Sequence, residues 1–493
     1  MKVTTVEEIQ KIDRNLLPSV AAEAVAEVGR GVSDLIMEYL YRNQILNHVG
    51  YILLLVGKGN KGADAFAAGA SLLERGFLVT AARILEEKEF SPLCQQYAHK
   101  FREAGGSVVP FSQELFADAI LVVDGLLGTG FKGAPSDLFA QAIICANHSA
   151  LPIVAIDIPS GLNGTTGEVA TVAIKASVTC YVACAKLGFF IGSGWNHVGE
   201  LVEIPLSIDL SSIKEEALLA GSCSIHLPPP VRNRHKYERG YLLALAGSCG
   251  MSGAAHLTTL SALRSGSGIV RLFHEPELAP FFPFPELLTE GWNLERILEE
   301  AKRATALLIG PGMGRSQTAC ALLKALLPRC SLPMVIDGDA LFFLGEHPEW
   351  KIPQGSILTP HHGEAKRLFQ ASNATDQKLL QMAQVYVDHK EQILLLKGAP
   401  SFLFAKGIKP LVLMRGDPGM ATAGSGDILT GVIGSLLSQG VTSYDAALFG
   451  ATLHGIAGED AARRISSYNV IASDLIDSLP YAFLYTNKLK TWS

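Results

Sequence analysis

The sequence lacks several features that would each assign it to a particular class of protein. It has no basic run and no interleaving of basic and aromatic residues, and its net charge of −6 argues against a nucleic-acid partner. No apolar stretch reaches the ~20 residues that a membrane-spanning helix needs. Residues 1–14 are polar and lack the apolar segment of a secretory signal peptide. We therefore expect a cytoplasmic protein without a nucleic-acid or membrane partner.

Cysteine is also scarce. The chain has 8 cysteines scattered along its length, and the closest two are Cys180 and Cys184. None forms a CxxC pair or a cluster with the spacing of a metal site. We expect reduced and mostly buried thiols, as in proteins of a reducing compartment.

Apolar residues and glycine are what the sequence has in abundance. The 493 residues are 48% hydrophobic and 18% charged, which is enough apolar material for sizeable cores. At ~100–200 residues per domain, the length predicts two large domains or three small ones. The 48 glycines cluster in short loops after apolar runs. That arrangement is typical of α/β proteins that bind phosphate groups.

The first half alternates apolar runs with helical patterns. Tyr51–Val56, 120–123 and Ile153–Ile156 have the continuous apolar character of strands in a buried parallel sheet. Residues 64–75 have the periodicity of an amphipathic helix. This order predicts a doubly wound α/β domain, a Rossmann-like three-layer sandwich.

The pattern breaks between the two halves. Residues 209–220 look like one short charged helix. The prolines that follow, Pro228, Pro229 and Pro230, can neither continue a helix nor pair inside a sheet. We predict a first domain over 1–208, a linker over 209–224 and a second doubly wound α/β domain over 225–493. Strand-like runs of the second domain are 241–246, Ala306–Ile309, Met334–Ile336 and 392–396.

The strongest functional signal lies in residues 417–427, Asp-Pro-Gly-Met-Ala-Thr-Ala-Gly-Ser-Gly-Asp, followed by a helical pattern over 428–439. Small residues let the backbone approach a ligand, and a helix N-terminus directs free N–H groups at an anion. Asp427 in that position can take a proton from a hydroxyl while the N–H groups stabilise phosphate charge. The alternative is an aspartate that only caps the helix.

Further segments of the second half accompany this loop in a set order. They are Arg234-His235-Lys236, Ala246-Gly247-Ser248, Gly253-Ala254-Ala255, 262–268, 309–314, 335–341, 358–364 and Leu396-Lys397-Gly398-Ala399. With these segments, residues 225–485 resemble the ADP- or ATP-dependent NAD(P)H-hydrate dehydratases, which have a ribokinase-like fold.

The resemblance implies a reaction and a set of site residues. Phosphorylation by ADP, or by ATP, makes the hydroxyl of hydrated NADH or NADPH a leaving group, and elimination restores the dihydronicotinamide. We favour ADP because the fused arrangement resembles prokaryotic members. Asp427 would be the catalytic base, and Glu364 would help to hold Mg²⁺ or its water. The residues implied at the hydrate are Ala254, Gly312, His361 and Asp427, and those at the nucleotide are Lys397, Gly398, Ala399, Pro400, Ser401, Ala423, Gly424, Ser425 and Gly426.

Several of these residues also have a purely structural interpretation. His361 alone is more typical of a satisfied loop histidine than of a ligand. Asp337 and Asp339 end a strand, where they suit loop backbone as well as substrate. Lys397 alone suits a solvated charge at a strand end.

Acidic residues also follow the predicted strands of the first half. Gly57-Lys58-Gly59-Asn60-Lys61-Gly62-Ala63-Asp64-Ala65 opens a helix after the first strand. A glycine pattern of this kind is a weak signal on its own for a phosphate turn. Asp124 and Asp157 end two further strands. Because ligands of such sheets bind outside the carboxyl ends of the strands, Asp64, Asp124 and Asp157 are expected at one site.

Residues 1–208 resemble the NAD(P)H-hydrate epimerase domain, which is fused to the dehydratase in this family. The resemblance implies interconversion of the R and S hydrates, of which the dehydratase uses only S. Asp157 would be the acid/base residue, and Asp124 and Ser160 would bind the family's K⁺ together with the residue at position 61. The residues implied at the hydrates NADHX and NADPHX are Asn60, Lys61, Gly62, Ala63, Asp64, Gly128, Thr129, Gly130, Phe131, Lys132, Gly133, Ala134 and Asp157.

Position 61 departs from the family pattern GxGNNGGDG. The second Asn, a potassium ligand in the family, is Lys61, and two of the glycines are Ala63 and Ala65. A lysine ammonium carries the charge of the ion and donates hydrogen bonds to the oxygens that would coordinate it. We hypothesise that Lys61 replaces the ion, which requires Nζ at ~2.7–3.2 Å from Asp124. The alternative is a solvent-exposed Lys61 in a degenerate site.

A different function shares part of these signals. A ribokinase-like small-molecule kinase would also have the glycine-rich loop and Asp427, with the first half as a non-catalytic binding or assembly module. That alternative does not explain the segments 234–236 and 310–312. For either function we expect a homo-oligomer.

Overall fold

The computed structural model describes residues 1–45, 49–221, 225–229, 231–278 and 284–489, with the side chains of 15–20 and 487–489 not described. Pro230, one of the three prolines used to mark the domain boundary, lies outside these ranges. The chain divides into two compact units, unit 1 (Met1–Leu218) and unit 2 (Leu219–Ser493). The division falls inside the segment predicted as a linker, and the predicted domain limits stay predictions.

Unit 1 contains a parallel sheet flanked by helices. The strands of unit 1 are β1 (Lys2–Thr4), β2 (Tyr51–Val56), β3 (Val79–Arg83), β4 (Ser107–Pro110), β5 (Ala119–Gly125), β6 (Ile153–Ile156), β7 (Val178–Val182), β8 (Ala185–Lys186) and β9 (Glu200–Ile204). Its helices are α1 (Val6–Arg42), α2 (Asn60–Glu74), α3 (Pro92–Glu103), α4 (Asp137–His148) and α5 (Trp195–Val198). The 7-stranded sheet has the order β4-β3-β2-β5-β6-β7-β9, and all its pairs are parallel.

The alternating directions of the side chains along β2 explain why helices cover both faces of this sheet. Ile52 and Leu54 belong to a core with residues of α1, α2 and α3. Leu53 and Leu55 belong to a second core with residues of α4. Since successive side chains of a strand point to opposite faces, an all-apolar strand requires cover on both sides. The predicted doubly wound fold is confirmed for this unit.

Unit 2 is a second α/β unit. Its strands, after β10 (Ala217–Leu219) at the division between the units, are β11 (Tyr241–Leu245), β12 (Ile269–His274), β13 (Leu288–Gly291), β14 (Ala306–Ile309), β15 (Met334–Ile336), β16 (Ile357–Leu358), β17 (Ile393–Leu396), β18 (Ser401–Ala405) and β19 (Ile408–Leu413). Its helices are α6 (Ser252–Arg264), α7 (Leu294–Ala301), α8 (Gln317–Leu326), α9 (Gly338–Glu346), α10 (His362–Leu368), α11 (Asp376–Lys390), α12 (Ser425–Ser438), α13 (Ser443–Ile465) and α14 (Ala472–Leu489).

The strands of unit 2 run β13-β12-β11-β14-β15-β16-β17 in parallel, and β18 and β19 continue the order as antiparallel neighbours. Helix α12 is buried along almost its whole length, with Ile428, Val432 and Ile433 in the core. A Cβ at Gly431 would lie 2.2 Å from the carbonyl oxygen of Thr258 in α6. Glycine therefore lets α6 and α12 approach closely, which fixes the N-terminus of α12 beside the sheet.

The prediction of a helix over 209–220 is wrong. The part of this segment that has regular structure is the strand β10, whose residues pair antiparallel with β1. The backbone N–H of Glu216 donates to the carbonyl oxygen of Val3 at 2.8 Å, and Oγ1 of Thr4 donates to the carbonyl oxygen of Lys214 at 2.7 Å. Local charge periodicity suggested a helix, but a partner strand some 210 residues away in sequence decides the conformation.

The helix predicted to begin at residue 64 begins at Asn60. The glycine-rich segment therefore forms the first turn of α2, and Lys61 occupies a helical position at the carboxyl end of β2. Among the described residues, no helix has both the length and the apolar character needed to cross a membrane.

Each unit has its own hydrophobic core, so we expect unit 2 to fold alone. A fragment of residues 219–493 should be soluble and should melt cooperatively, because its core residues all come from its own sequence. Circular dichroism and calorimetry check this. A fragment of residues 246–493, which lacks β11 from the middle of the sheet, is the control and should not fold. An aggregated 219–493 fragment alongside a well-folded full chain would contradict the expectation.

Candidate active sites

Unit 1 contains a cavity of about 960 Å³ at the carboxyl ends of β2, β5 and β6. This volume is within the ~300–1,000 Å³ typical of small-molecule sites. Helix α1, the first turn of α2 and the loops after β5 and β6 form its walls. The predicted substrate residues that line it are Asn60, Lys61, Asp64, Gly128, Thr129, Gly130, Phe131 and Asp157.

The remaining predicted substrate residues of unit 1 do not line this cavity. Lys132, Gly133 and Ala134 are exposed to solvent beyond it. Gly62 and Ala63 are buried in the first turn of α2. Their proposed contacts with a substrate stay predictions.

Carboxyl groups with raised pKa values gather at the cavity. Burial, followed by the negative charge of Asp157, raises the pKa of Asp13 to about 6. The same two causes raise the pKa of Asp64 well above its ordinary range. Carboxyl groups that are removed from water and lie near one another favour the protonated form. Asp13, with a pKa of about 6, is therefore suited to exchanging protons with a ligand near neutral pH.

Lys186 fixes the orientation of Asp157. Its fully buried ammonium donates to Oδ1 of Asp157 and, at 3.2 Å, to the carbonyl oxygen of Val182. The backbone N–H of Val182 donates to the same Oδ1 at 3.2 Å. Asp157 itself has a φ of 63°, a left-handed conformation that aspartate adopts more readily than most residues. One carboxylate oxygen is therefore held in place while the residue faces the cavity.

Lys61 lies inside a group of oxygen atoms at the base of the cavity. Its Nζ is 2.9 Å from Oδ2 of Asp124, 2.9 Å from Oγ of Ser160, 2.6 Å from the carbonyl oxygen of Ile158 and 3.2 Å from that of Leu127. The distance predicted between Lys61 and Asp124 is confirmed, and the alternative of a solvent-exposed Lys61 is wrong because the residue is 6% exposed.

These contacts bear on the potassium ion that the resemblance implies. The two oxygen-bearing side chains assigned to the ion, Asp124 and Ser160, both face the ammonium of Lys61. Burial lowers the pKa of Lys61, while the charge and hydrogen bond of Asp124 act in the opposite direction. The ammonium takes the space among the oxygens, so the residues present do not fit a potassium ion at this position.

The two alanines that depart from the family pattern do not obstruct the cavity. Ala63 and Ala65 are both fully buried in the core between α2 and the sheet. A Cβ at Gly125 would lie 2.5 Å from Cβ of Ala65, so β5 and α2 are in close contact there. Alanine at these positions therefore contributes to packing beneath the site.

The glycine-rich loop of unit 2 presents a helix N-terminus. Gly424 is the N-cap of α12, with a φ of 91°, and no side chain of the described residues caps this end. The backbone N–H of Ser425 makes a long hydrogen bond of 3.3 Å to the carbonyl oxygen of Thr422, and the N–H groups that follow it in the first turn are available to an anion. A Cβ at Gly424 would lie 2.3 Å from Cδ1 of Leu257. Only glycine suits both this conformation and this contact.

Asp427 lies in the first turn of α12 rather than at its N-cap, so the alternative of an aspartate that caps the helix is wrong. Burial, followed by the charge of Asp337, raises the pKa of Asp427 to about 7, and Lys397 acts to lower it. The ammonium of Lys397 donates to Oδ1 of Asp337 at 2.6 Å, and a Cβ at Gly426 would lie 3.3 Å from its Nζ. A carboxyl group that titrates near neutral pH and a partly buried ammonium therefore lie at the same helix N-terminus.

Asp337 and Asp339 hold their neighbours in place. Oδ2 of Asp337 accepts from Oγ1 of Thr430 at 2.6 Å, so both of its oxygens are occupied. Asp339 accepts from Nε of Arg315 and from the backbone N–H of Gly314, each at 2.8 Å. Of the two interpretations of these aspartates, positioning of side chains and loop backbone agrees with these contacts.

His361 caps α10. Its Nδ1 accepts from the N–H of Gly363 at 3.0 Å, and its own backbone N–H donates to Oε2 of Glu364 at 2.9 Å. Burial, followed by the charge of Asp337, raises the pKa of Glu364. Among the described residues, no group of three or more His, Cys, Asp or Glu side chains forms a metal site. A Mg²⁺ ion at this site would therefore depend on nucleotide phosphates for further ligands, as Mg²⁺ often does.

The other residues predicted at the site of unit 2 fall into two groups, one around Gly312 and one around Lys397. Gly312, with a φ of 56°, approaches α6 so closely that a Cβ there would lie 2.8 Å from Cβ of Ala254. Lys397 follows β17, and Ser401 begins β18 and donates to the carbonyl oxygen of Gly398 at 3.1 Å. The segment Lys397–Gly398–Ala399–Pro400–Ser401 is thus a turn between two strands.

Comparison with known proteins connects both sites to one family. Residues 242–481 match the family model described as NAD(P)H-hydrate dehydratase, and residues 21–188 match the YjeF-related protein N-terminus. The bifunctional NAD(P)H-hydrate repair enzyme of Moorella thermoacetica is 33% identical over an alignment of 519 positions. The alignment covers 98% of this chain and 96% of that protein. This chain belongs to the bifunctional NAD(P)H-hydrate repair enzymes.

Other relatives agree with this assignment. The Escherichia coli bifunctional NAD(P)H-hydrate repair enzyme is 33% identical over 438 residues, covering 87% of this chain and 84% of that protein. The crystal structure of the ADP/ATP-dependent NAD(P)H-hydrate dehydratase of Bacillus subtilis, co-crystallised with ATP/Mg²⁺, has a TM-score of 0.50 and 26% identity. It covers 55% of this chain and 99% of that one. Membership of this family, over both units, displaces the small-molecule kinase alternative.

Two buried residues beside the candidate sites were not found from the sequence. One is Lys186, which contacts Asp157. The other is His454 in α13, whose Nε2 lies 3.3 Å from Oγ of Ser425 behind the glycine-rich loop. Burial lowers the pKa of His454 to about 4, so the ring is neutral. Neither residue lies in a glycine-rich or acidic motif, and only the tertiary fold brings them to the sites.

The raised pKa of Asp427 predicts a pH-dependent effect on stability. The unfolded chain ionises this carboxyl near its ordinary pKa of 3.8, whereas the folded chain retains the proton to about 7. The unfolded state therefore binds fewer protons between these values, and the free energy of unfolding falls as the pH rises. At about pH 8, Asp427→Asn should be more stable than the wild type, by on the order of 2–4 kcal/mol.

This gain should shrink as the pH falls towards the ordinary pKa. Urea unfolding of the two proteins at a series of pH values measures it. Asp477→Asn, at an exposed position of α14, is the control and should not alter the pH dependence. Equal stabilities of wild type and Asp427→Asn above neutral pH would show that Asp427 is not desolvated.

Proposed function

We propose that the chain repairs hydrated NADH and NADPH, with each unit performing one step. Unit 2 dehydrates the S hydrate at the expense of ADP, and unit 1 interconverts the R and S hydrates. The observation that carries the dehydratase is Asp427, with a pKa raised to about 7, in the first turn of an uncapped helix. A base and an anion site at one helix end suit transfer of a phosphoryl group to a hydroxyl.

In the dehydratase step, Asp427 takes the proton of the hydrate hydroxyl as its oxygen attacks the terminal phosphoryl group of the nucleotide. The N–H groups at Gly424, Ser425 and Gly426 bind the phosphate charge. The ammonium of Lys397, near Gly426, adds a positive charge on the same side. The phosphate then leaves with the C–O bond electrons, a ring proton is lost, and the dihydronicotinamide is restored.

The nucleotide and the metal ion follow from this chemistry. Lys397, Gly398, Ala399, Pro400, Ser401 and Ala423 form the remaining proposed nucleotide contacts. Glu364 accepts from the backbone N–H of His361 through Oε2, and its Oε1 lies 3.6 Å from Nε2 of His361. It would hold Mg²⁺ or a water bound to it through Oε1, together with nucleotide phosphates. When bound, Mg²⁺ neutralises phosphate charge. Ala254, Gly312 and His361 would line the hydrate side. We favour ADP over ATP as the donor.

In the epimerase step, Asp157 is the proposed acid/base residue. Asp157 would take the hydroxyl proton as the C–N bond of the hydroxyl-bearing carbon breaks to leave an aldehyde. The ring would then close on the opposite face of the aldehyde as the proton returns to its oxygen. Asp157 lines the cavity, and Lys186 holds one of its oxygens, leaving the carboxylate in a single orientation. Asn60, Asp64 and the loop from Gly128 to Phe131 supply the surrounding surface. A cytoplasmic location and a homo-oligomeric state accompany this function as predictions, which cell fractionation and light scattering check.

The first test of the dehydratase is Asp427→Asn. We expect the rate of NADH formation from the S hydrate to fall ~10²–10⁴-fold, since this is what a general base contributes. Nucleotide affinity, measured by calorimetry, should stay within a few-fold, because the helix N–H groups remain. Asp477→Asn is the matched control on an exposed carboxylate. If Asp427→Asn turned over the S hydrate at near the wild-type rate, Asp427 could not be the base.

The test of the epimerase is Asp157→Asn in the full chain. Starting from pure R hydrate without nucleotide, the variant should form the S hydrate no faster than buffer alone. Its conversion of S hydrate with ADP should equal that of the wild type, because Asp427 is unchanged. Chiral chromatography of the hydrates measures both. Normal epimerisation by Asp157→Asn would exclude this residue as the acid/base group, and loss of both activities would indicate misfolding.

A further inference from the structure

We propose that unit 1 carries a built-in monovalent cation, the ammonium of Lys61, which occupies a site that would otherwise hold a metal ion of the same charge. The site consists of the oxygen atoms that surround Nζ: Oδ2 of Asp124, Oγ of Ser160 and the carbonyl oxygens of Leu127 and Ile158. This inference concerns what holds the site together and does not require that unit 1 is an epimerase.

The oxygens around Nζ are arranged as acceptors. The carbonyl oxygens of Leu127 and Ile158 have no proton to donate. The hydroxyl of Ser160 donates its proton to Oδ1 of Asp124 at 2.5 Å, so its oxygen presents lone pairs to Lys61. A set of acceptors without a facing donor matches a cation at its centre. An ammonium with three N–H donors provides that cation.

Asp124 makes this cation necessary. Its carboxylate is fully buried and accepts from the backbone N–H groups of Leu126 and Ser160 at 3.1 and 2.8 Å. A buried carboxylate is costly unless it is paired with a positive charge and hydrogen-bonded. Lys61 supplies the positive charge. It reaches Asp124 from the first turn of α2, which lies beside the loops after β5 and β6.

The ammonium connects two loops and the first turn of α2 at the carboxyl edge of the sheet. Leu127 lies in the loop after β5, Ile158 and Ser160 lie in the loop after β6, and Lys61 lies in the first turn of α2, which follows β2. These are the loops that line the cavity. A metal ion in this position would be lost by dilution, whereas a tethered ammonium is always present. The order of the loops should therefore not depend on the ions in solution.

The experiment compares the wild type with Lys61→Asn, which removes the ammonium and supplies an amide oxygen. Lys88→Asn, at an exposed lysine, is the matched control. Crystals of each protein are soaked in a thallium(I) salt, and anomalous diffraction locates bound ions. In parallel, melting temperatures are measured in KCl and in NaCl of equal ionic strength. Lys61→Gln repeats both measurements if Lys61→Asn does not fold.

We expect no thallium peak among the oxygens of Asp124, Ser160, Leu127 and Ile158 in the wild type or in Lys88→Asn, and equal melting temperatures in the two salts. Lys61→Asn should show a thallium peak there, and its melting temperature should rise with KCl concentration, as linkage requires for an ion that binds only the folded state. A thallium peak in this site of the wild type would overturn the proposal. So would the absence of both effects in a folded Lys61 variant.

These readouts need no substrate. If unit 1 failed to interconvert the hydrates while Lys61→Asn gained the thallium site, the proposed epimerase would fail and this inference would stand. If the wild type epimerised the hydrates only with added potassium, the proposed function would stand and the built-in cation would be wrong.

Discussion

The interaction on which both sites depend is the pairing of a buried aspartate with a lysine at the carboxyl ends of parallel strands. In unit 1, Lys61 lies 2.9 Å from Asp124, and in unit 2, Lys397 lies 2.6 Å from Asp337. Removing one partner of a fully buried pair, such as Lys61 and Asp124, typically costs about 3–5 kcal/mol, because the other charge is left without compensation. Each pair therefore ties residues of different loops to one position. These pairs therefore fix the positions of the loops that form the two candidate sites.

Burial also raises the pKa values of carboxyl groups at the two sites that have no lysine partner. Asp124 and Asp337 each have a lysine partner, but Asp427 and Asp13 lack so direct a contact, and burial raises their pKa values to about 7 and about 6. A group that titrates near neutral pH can both accept and release a proton under physiological conditions. A lysine ammonium therefore holds Asp124, Asp337 and Asp157 in place, whereas burial with no such contact leaves Asp427 and Asp13 to titrate near neutral pH.

The sequence predicted the parts of this arrangement that depend on local pattern. Continuous apolar runs such as Tyr51–Val56 and Met334–Ile336 agree with the strands to the residue. The approach of Lys61 to Asp124 followed from the charge of lysine at a position implied to bind a cation. The strand β10 was mistaken for a helix because its partner is remote in sequence. Lys186 and His454, and the carbonyl oxygens around Lys61, belong to no motif, so only the fold reveals them.

The most direct test of the account is the fate of a mixture of R and S NADH hydrates incubated with the full chain, ADP and Mg²⁺ in a buffer without potassium. Chromatography follows each epimer, and absorbance follows the dihydronicotinamide that forms. The account predicts that both epimers disappear, the R hydrate far faster than it epimerises in buffer alone, and that NADH accounts for the whole of the loss. Persistence of the R hydrate after the S hydrate is consumed would contradict it.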